Sequence, residues 1–470
     1  MRGPKPSGTA ALGLAAALLL AACTGQRAAP QTPPLTLPAT SSTGARAAPP
    51  ATRAPGATDW TTYHRDPSRS GNLPGLADPT RLTRAWTRSL DGAVYGEPLV
   101  VGDQVLVATE GDSLYALELR TGKVRWRRKV GEPVPLSRLP CGNIDPLGIT
   151  GTPVYDPATG LVFAVAEVTG PAHLLVGVDV RSGTVRVRRP ADPPGMRPLA
   201  HQQRAALALS QGRVYVAYGG LLGDCGDYHG WVVASRTDGR GPLQAYQVPT
   251  SREGGIWGAS GPAVDAAGRL FVTVGNGAAT GGAWDHSDSV LRLSPDLRLE
   301  DGFAPRQWPQ DNAADADLGS MGPLLLPGGL VFADGKSGLG YLLQAGHLGG
   351  VGGALVEQPV CAAFGGAAAA GSTLYVPCTD GLRQLKVGPG ARLSAGWQAP
   401  RAVSGSPVVG GRTVYSLDPG GTLYALDADR GTVRATAPVE PTSRFATPTL
   451  AGGLVLVGTM RGVVALAAHP

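Results

Sequence analysis

Short apolar segments separated by turns recur along most of the chain, and this pattern predicts a β-rich fold. The clearest example is residues 414–435, VYSLDPGGTLYALDADRGTVRA, which reads as three strands joined by turns at 418–421 and 428–431. Proline presets one backbone angle of such a turn and glycine tolerates the positive φ that follows. The strands between the turns are rich in β-branched and aromatic residues, which pack well on a pleated sheet.

The same unit occurs more than once. Residues 105–126, VLVATEGDSLYALELRTGKVRW, align with residues 414–435 without a gap and share YAL, an acidic residue, a glycine and VR. Shorter copies occupy residues 176–187 and 454–466. A recurring supersecondary unit of this kind indicates a repeat architecture.

Eight inner strands with small residues open these units, at intervals of about 40–60 residues, which is the range of propeller blades. Because the strands are apolar on both faces, each sheet needs a neighbour on both sides. Closing the stack into a ring leaves no bare end. We therefore predict an all-β fold, an eight-bladed β-propeller of four-stranded antiparallel blades. Seven blades are the alternative, because the unit at residues 365–397 is irregular. The units open at Gly96, Gly151, Arg204, Ser260, Met321, Gly365, Ser404 and Ala446.

The two ends of the repeating region complement each other. The last unit stops after its third strand, whereas residues 82–90, LTRAWTRSL, resemble an outer strand that no inner strands precede. We predict that this N-terminal strand completes the final blade, which places Trp86 next to residues 463–466 and closes the ring.

The first residues predict export. Arg2 and Lys5 precede a short apolar run, as in a signal peptide, and residues 20–23, LAAC, resemble the lipobox of bacterial lipoproteins. We predict a signal peptide over 1–23, lipidation of Cys23, and a location on the outer side of the cell membrane. An ordinary signal peptide is the alternative. Residues 24–58, rich in Pro, Ala and Thr, are predicted to be a disordered tether before a propeller over 59–470.

Charge gives little reason to expect a nucleic-acid partner. The formal net charge is +6, but five Lys/Arg and no acidic residue precede Asp59, which leaves about +1 for the rest. A nearly neutral domain without long basic runs disfavours nucleic acid.

Four cysteines remain once Cys23 is set aside, and an even number in an exported chain favours disulfides. We predict Cys361–Cys378, joining adjacent strands of one blade, and Cys141–Cys225, joining two long loops. A metal site is the disfavoured alternative, because the spacing fits no zinc pattern.

The phrases LYALELRTGKVRW and LYALDADRGTVRA resemble the PQQ-like, or quinoprotein-type, β-propeller repeat, and residues 60–71 resemble the segment before the first blade of such proteins. This family includes quinone-dependent alcohol dehydrogenases, a scaffolding lipoprotein of outer-membrane assembly and exported lipoproteins of unknown role. The dehydrogenases carry adjacent cysteines near PQQ and a Glu, Asn and Asp set around Ca²⁺. This sequence has no adjacent cysteines, and the calcium ligands of the dehydrogenases have no counterparts that can be identified in it. No catalytic residue or metal is therefore carried over from the resemblance, and PQQ is left open as a cofactor.

Loops that enter the inner strands are expected to meet at one face of the central channel. There, arginines can bind a carboxylate and a tryptophan can stack on a ring. The alternative is that these side chains are satisfied structural groups. Residues 311–317, with three aspartates, are predicted to be a solvated loop without a calcium site. The candidate ligand-binding residues are Glu97, Asp145, Gln203, Arg204, Trp257 and Arg444.

These features together predict a lipid-anchored, monomeric, extracytoplasmic propeller that binds a small ligand or an envelope protein at one channel face without catalysis. The alternatives are a PQQ- or metal-dependent alcohol or sugar dehydrogenase and a scaffold for envelope protein assembly.

Overall fold

The computed structural model describes residue 56 and residues 59–470. The predicted signal peptide, Cys23 and all of the predicted tether except Gly56 lie outside the described residues. The chain from residue 81 to residue 469 forms eight sheets, each with four antiparallel strands that form one blade. The eight-bladed β-propeller predicted from the repeats is confirmed, and the seven-bladed alternative is wrong.

Each of the first four blades is built from four consecutive strands, innermost first. They are Leu99–Val101, Gln104–Thr109, Ser113–Glu118 and Val124–Lys129 (blade 1); Val154–Asp156, Leu161–Val168, Ala172–Asp179 and Val185–Pro190 (blade 2); Ala208–Ser210, Arg213–Gly220, Trp231–Arg236 and Gln244–Gln247 (blade 3); and Ala263–Val264, Leu270–Val274, Ser289–Leu293 and Leu299–Ala304 (blade 4).

Blades 5 to 7 follow the same order, and only the last blade borrows a strand. They are Leu324–Leu326, Leu330–Ala333, Leu339–Gln344 and Val356–Pro359 (blade 5); Ala368–Ala370, Thr373–Val376, Arg383–Gly388 and Arg392–Gln398 (blade 6); Val408–Gly410, Thr413–Asp418, Thr422–Asp427 and Val433–Pro438 (blade 7); and Thr449–Ala451, Leu454–Thr459, Gly462–His469 and the N-terminal strand Arg81–Ser89 (blade 8).

Smaller elements decorate the ring. Three blades gain a short fifth strand, and one α-helix and four 3-10 helices lie in the connections. The extra strands are Asn72–Leu73, His201–Gln202 and Gly350–Val351; the helices are Trp308–Ala313, Leu136–Arg138, Pro198–Ala200, Leu318–Ser320 and Pro389–Ala391.

The N-terminal strand closes the ring as the sequence predicts. Arg81–Ser89 pairs antiparallel with Gly462–His469, and Trp86 lies opposite Ala465. One apolar cluster runs without interruption from blade 7 through blades 8 and 1 to blade 2, so the seam lies within a continuous apolar core. The prediction rests on sheets that bury both of their faces, and the same burial stabilises this seam.

Tryptophans of outer strands dock onto a glycine turn of the next blade. The Trp86 indole nitrogen donates a hydrogen bond to the Leu119 carbonyl at 2.9 Å. A Cβ at Gly122, whose φ is +66°, would lie 2.5 Å from this ring, so only glycine allows the contact. Trp126 docks in the same way on Gly183 of blade 2, and Trp397 docks on Gly431 of blade 7.

Residues 60–73 form a plug inside the ring. Trp60 pairs with Val100 of blade 1, and Asn72–Leu73 runs parallel to Val408–Gly410 of blade 7. Between these points the carbonyls of the plug accept hydrogen bonds from innermost strands, so the segment circles the axis inside the blades. The donors are the backbone amides of Tyr155, Val264, Leu325, Ala369 and Val409, at 2.8–3.1 Å.

Arg69 holds the plug in place although its side chain is fully buried. Its guanidinium donates to the carbonyls of Pro262 and Leu207, in blades 4 and 3, and to Thr62 and Tyr63 within the plug, at 2.7–3.1 Å. A buried cation is tolerated because its donors are satisfied in this way.

Both predicted disulfides form in the structure, and they indicate an extracytoplasmic protein because disulfides persist in oxidising compartments. Cys141–Cys225 joins two long loops, as expected. Cys361 follows the outer strand of blade 5 and Cys378 follows the second strand of blade 6, so this bridge joins neighbouring blades. The expectation that it joins strands of one blade is wrong.

The prediction of a solvated loop at residues 311–317 is also wrong. Asp311 lies in the helix Trp308–Ala313 and is buried, and Asp317 is fully buried against Lys336. The predicted loop instead fills the space between blades 4 and 5.

Replacement of Trp86 tests ring closure. We expect Trp86→Ala to lower the free energy of unfolding by about 3 kcal/mol, because a buried indole and its packing are lost. Trp397→Ala, which removes the same docking contact between blades 6 and 7, is the matched reference. Urea denaturation of both variants is the measurement. A stability unchanged by Trp86→Ala beside a destabilised Trp397→Ala would mean that the N-terminal strand does not close the ring in solution.

Candidate functional site

A funnel opens at the end of the channel opposite the plug. The plug contacts the middle and far ends of the innermost strands, whereas the funnel is lined by residues that precede those strands and by residues that follow the second strands. Its volume is about 610 Å³, within the range of roughly 300–1,000 Å³ typical of small-molecule sites. The residues that form its floor are Arg204, Trp257, Lys336, Phe364, Arg444 and Phe445.

Three aromatic rings form the centre of the floor. The ring centroids of Trp257, Phe364 and Phe445 lie 6.4–6.5 Å from one another, as a triangle of tilted rings. The three residues come from three different connections between blades, each directly before an innermost strand. Ring closure therefore brings together aromatic residues that are far apart in sequence, and leaves part of each ring facing the funnel.

Three cations lie over these rings. The guanidinium carbon of Arg444 is 3.6 Å from the centroid of Phe364, and that of Arg204 is 5.0 Å from the centroid of Phe445. The ammonium nitrogen of Lys336 lies 5.4 Å from the Trp257 ring. Attraction between a cation and the face of an aromatic ring holds such side chains in place without neutralising their charge.

Of the three cations over the rings, only Lys336 is neutralised by acidic side chains. Lys336 forms salt bridges with Asp315 and with the buried Asp317, the latter at 2.7 Å. Burial raises the pKa of Asp317 to about 6, and the nearby ammonium limits that rise. Within the described part of the chain, Arg204 and Arg444 form no salt bridge or side-chain hydrogen bond. The funnel floor therefore presents two positive charges that lack a counter-ion.

Burial favours the protonated form of two acidic groups beneath the floor, Glu97 and Glu110. Burial raises the pKa of Glu97 well above its usual range and that of Glu110 to about 8. Glu97 accepts a hydrogen bond from the His64 amide at 2.7 Å, and Glu110 accepts one from Gly148 at 2.7 Å. Glu110, whose charge interacts with Arg204, becomes ionised only as the pH approaches about 8.

The six predicted ligand-binding residues fall into three groups. Arg204, Trp257 and Arg444 line the funnel together. Glu97 and Gln203 are buried below its floor, where Gln203 donates to the Ala205 carbonyl. Asp145 lies apart on an exposed loop and accepts a hydrogen bond from the Leu136 amide at 3.0 Å.

Phe364 and Lys336 are the floor residues that sequence analysis missed. Phe364 directly precedes Gly365, a unit opening, just as Phe445 precedes Ala446. This shared position could have identified Phe364 from the sequence as a residue of the floor. No sequence feature of this kind identifies Lys336. It lies after the second strand of blade 5, and its salt bridge with Asp317 positions it at the floor.

The disulfide Cys141–Cys225 ties together two loops of the funnel wall. Ile144, Leu147 and Leu221 form a small apolar cluster behind it. At the mouth, Leu222 is 59% exposed and Met460 is 39% exposed, which is unusual for large apolar side chains.

The funnel does not fit the calcium-assisted quinone site of the dehydrogenases. Among residues 59–470, no three His, Cys, Asp or Glu side chains are grouped so that they could hold a metal ion. The funnel's Asp315 already pairs with Lys336, and the disulfide at its wall joins cysteines 84 positions apart instead of adjacent ones. No catalytic step is therefore assigned to this site.

The described residues contain no helix with both the length and the apolar character that a membrane span requires.

Comparison with known proteins supports the fold. The family model for the outer membrane protein assembly factor BamB matches residues 78–221 and 385–469. No curated protein sequence matches the chain.

Solved structures with this fold include enzymes and a protein of the matched family. Quinohemoprotein alcohol dehydrogenase ADHIIG from Pseudomonas putida is 14% identical, with 88% of this chain and 80% of that chain covered and a TM-score of 0.67. The quinohemoprotein alcohol dehydrogenase from Comamonas testosteroni is 15% identical, with coverages of 88% and 82% and a TM-score of 0.65. BamB from Moraxella catarrhalis is 15% identical, with coverages of 82% and 99% and a TM-score of 0.57.

At these identities the structural likeness establishes the fold and leaves function open. The family match covers the repeats from which the resemblance was inferred, and the ring has the eight blades that those repeats predict. The chain is an eight-bladed β-propeller whose repeats are similar to those of the PQQ-like family.

Proposed function

We propose that this propeller is an extracytoplasmic binding protein, held at the membrane by a lipid on Cys23, and that its funnel takes an anionic ligand with an aromatic or other planar apolar part. The observation that carries the proposal is the pair Arg204 and Arg444, whose guanidinium groups lie over phenylalanine rings without an acidic partner among the described residues. The function is binding without catalysis.

The two arginines favour an anion. A guanidinium group presents several donors in one plane and pairs well with carboxylate, sulfonate or phosphate groups. Stacking on a ring fixes its orientation, so little conformational freedom is lost when the ligand binds. The partly buried Arg204 has already lost much of its hydration, and an anion would restore those hydrogen bonds.

The floor favours a ligand with a planar apolar part. The tilted rings of Trp257, Phe364 and Phe445 offer faces and edges on which another ring can pack. A ligand that joins a ring to an acidic group would contact the floor and both arginines at once.

A second candidate function is a scaffold for envelope protein assembly. The match to the model of an outer membrane protein assembly factor favours it, and so do the exposed Leu222 and Met460 at the funnel mouth. Exposed apolar side chains beside a concave surface are common in protein interfaces. A protein partner would then cover the mouth instead of a small ligand filling the floor.

Removal of each arginine tests the proposed anion site. Anilinonaphthalene sulfonate, an anionic aromatic probe, can be titrated by fluorescence. We expect Arg444→Gln to weaken its binding about tenfold, equivalent to about 1.4 kcal/mol, because one charged contact is lost. The melting temperature should stay unchanged, because Arg444 is exposed and forms no hydrogen bond among the described residues. Arg204→Gln, at a more buried position, should weaken binding further.

The control is Arg240→Gln, an exposed arginine of blade 3. If Arg444→Gln and Arg204→Gln bind the probe as tightly as the Arg240→Gln control, the proposed site is refuted.

The acidic groups beneath the floor predict the pH dependence of binding. Burial raises the pKa of Glu110 to about 8, and its charge interacts with Arg204. Between pH 6.5 and pH 9, Glu110 loses its proton and adds negative charge under the floor, so the affinity for the sulfonate probe should fall. The probe and both arginines keep their charges over this range. Glu110→Gln should reduce the fall. The remainder should come from two other buried groups that titrate in this range. They are Asp112, whose pKa burial raises to about 8, and His173, whose pKa Glu167 raises to about 9 against the effect of burial. An affinity that rises with pH would contradict this account.

Site-specific crosslinking separates the two candidate functions. A photo-crosslinking amino acid placed at position 222 or 460 in intact cells would capture a protein that covers the funnel mouth. Position 355 on the outer edge of blade 5, where Leu355 is 51% exposed, is the control. If the funnel takes a small ligand, we expect no discrete protein adduct at the mouth. An adduct of defined mass at 222 and 460 but not at 355 would favour the scaffold.

A further inference from the structure

One edge of the ring is strongly basic. We define the basic edge as residues 81–90, 119–129 and 181–190, which contain thirteen lysines and arginines and no acidic residue. They form the outer strands of blades 8, 1 and 2 and the turns in which the glycines Gly122 and Gly183 receive the docked tryptophans. Tryptophan docking thus places the three segments side by side as one continuous surface.

Most of this charge is not neutralised. Arg125, Arg127 and Lys129 pair with acidic residues. The other ten basic residues of the edge form no salt bridge within the described residues. Five of them are fixed by neighbouring blades. Arg88 donates to the Gly122 carbonyl at 2.8 Å and Arg128 donates to the Gly183 carbonyl at 2.7 Å. Arg84, Arg188 and Arg189 donate to the carbonyls of Pro438, Val130 and Gly239. A hydrogen bond to a carbonyl holds the guanidinium in place and leaves its full charge.

The rest of the perimeter differs in charge. The outer strands of blades 3, 4 and 5 contain no lysine or arginine and carry three acidic residues in total. Their ranges are Gln244–Gln247, Leu299–Ala304 and Val356–Pro359. The charge is therefore unevenly distributed around the perimeter, although the net charge of the folded part is close to zero.

The N-terminal segment joins the ring at the inner side of blade 1, the middle of the three blades that carry the basic edge. The carboxylate of Asp59 accepts a hydrogen bond from the Gly102 amide at 3.0 Å, and Trp60 pairs with Val100, both in blade 1. Asp103, which follows Gly102, forms a salt bridge with Arg125 of the basic edge. The segment that is proposed to carry the lipid anchor thus enters the propeller at the blade that lies between the other two basic blades.

We propose that the basic edge docks on the anionic surface of the membrane to which the protein is tethered. Negatively charged headgroups attract lysine and arginine within about one Debye length, roughly 10 Å at 0.1 M salt. The choice of a membrane over another polyanion rests on the proposed lipid anchor at Cys23. Contact through the perimeter lays the channel axis along the membrane plane, so the funnel opens sideways and not into the lipid.

Vesicle binding tests this docking surface apart from the lipid anchor. Residues 51–470 form one compact unit and contain the plug and the complete ring, so they are used without the first fifty residues. We expect this unit to sediment with vesicles that contain phosphatidylglycerol and not with pure phosphatidylcholine, and to be released by high salt.

Matched neutral variants locate the binding surface. The edge variant carries Arg120→Gln, Lys123→Gln, Arg181→Gln and Arg186→Gln; the control variant carries Arg240→Gln, Arg298→Gln, Arg392→Gln and Arg401→Gln, and all eight side chains are exposed. Both variants lose the same total charge. We expect the edge variant to bind anionic vesicles at least about tenfold more weakly than the native unit and the control variant to change by less than about twofold. Equal losses in the two variants, or no binding to anionic vesicles at low salt, would overturn the proposal. Neither result depends on the funnel.

Discussion

The ring depends on the contact in which an indole of one outer strand lies against a glycine turn of the next blade. Each such contact needs an indole donor, a carbonyl acceptor and a residue without a side chain, and it occurs at the junctions 8–1, 1–2 and 6–7. At the junction 2–3, Val187 packs on Gly239 in the same position, so an aliphatic residue fills the role of the indole. Blades joined in this way bury both faces of every sheet, which is the burial that favours a closed ring.

Closure creates a channel, and the plug makes its two ends unequal. Residues 60–73 satisfy amides of the innermost strands, and the buried Arg69 and His64 fix them to carbonyl groups around the axis. Burial lowers the pKa of His64 to about 3, so this anchor stays neutral. The plug fills one end of the channel, and the funnel lies at the other end, where the loops before the innermost strands converge.

Charge is arranged separately at the two functional surfaces. At the funnel floor, arginines stay ionised while burial raises the pKa of Glu97 and Glu110 beneath them, because burial penalises a charged carboxyl and guanidinium resists deprotonation. At the basic edge, guanidinium groups face solvent or donate to backbone carbonyls, so they remain cationic there too. A net charge near zero conceals both surfaces, because it reports only the average over the folded part.

The sequence by itself determined the strands, the eight units, the two-faced apolar sheets and the closing role of Trp86, because each of these follows from local periodicity and from the composition of turns. It also indicated Arg204, Trp257 and Arg444, since they precede inner strands. Only the tertiary structure decided that Phe364 and Lys336 join them, that Asp145 stays apart, and that Cys361–Cys378 joins two blades. Those outcomes depend on how loops from different blades meet across the axis, and no local pattern encodes a distance between segments far apart in the chain.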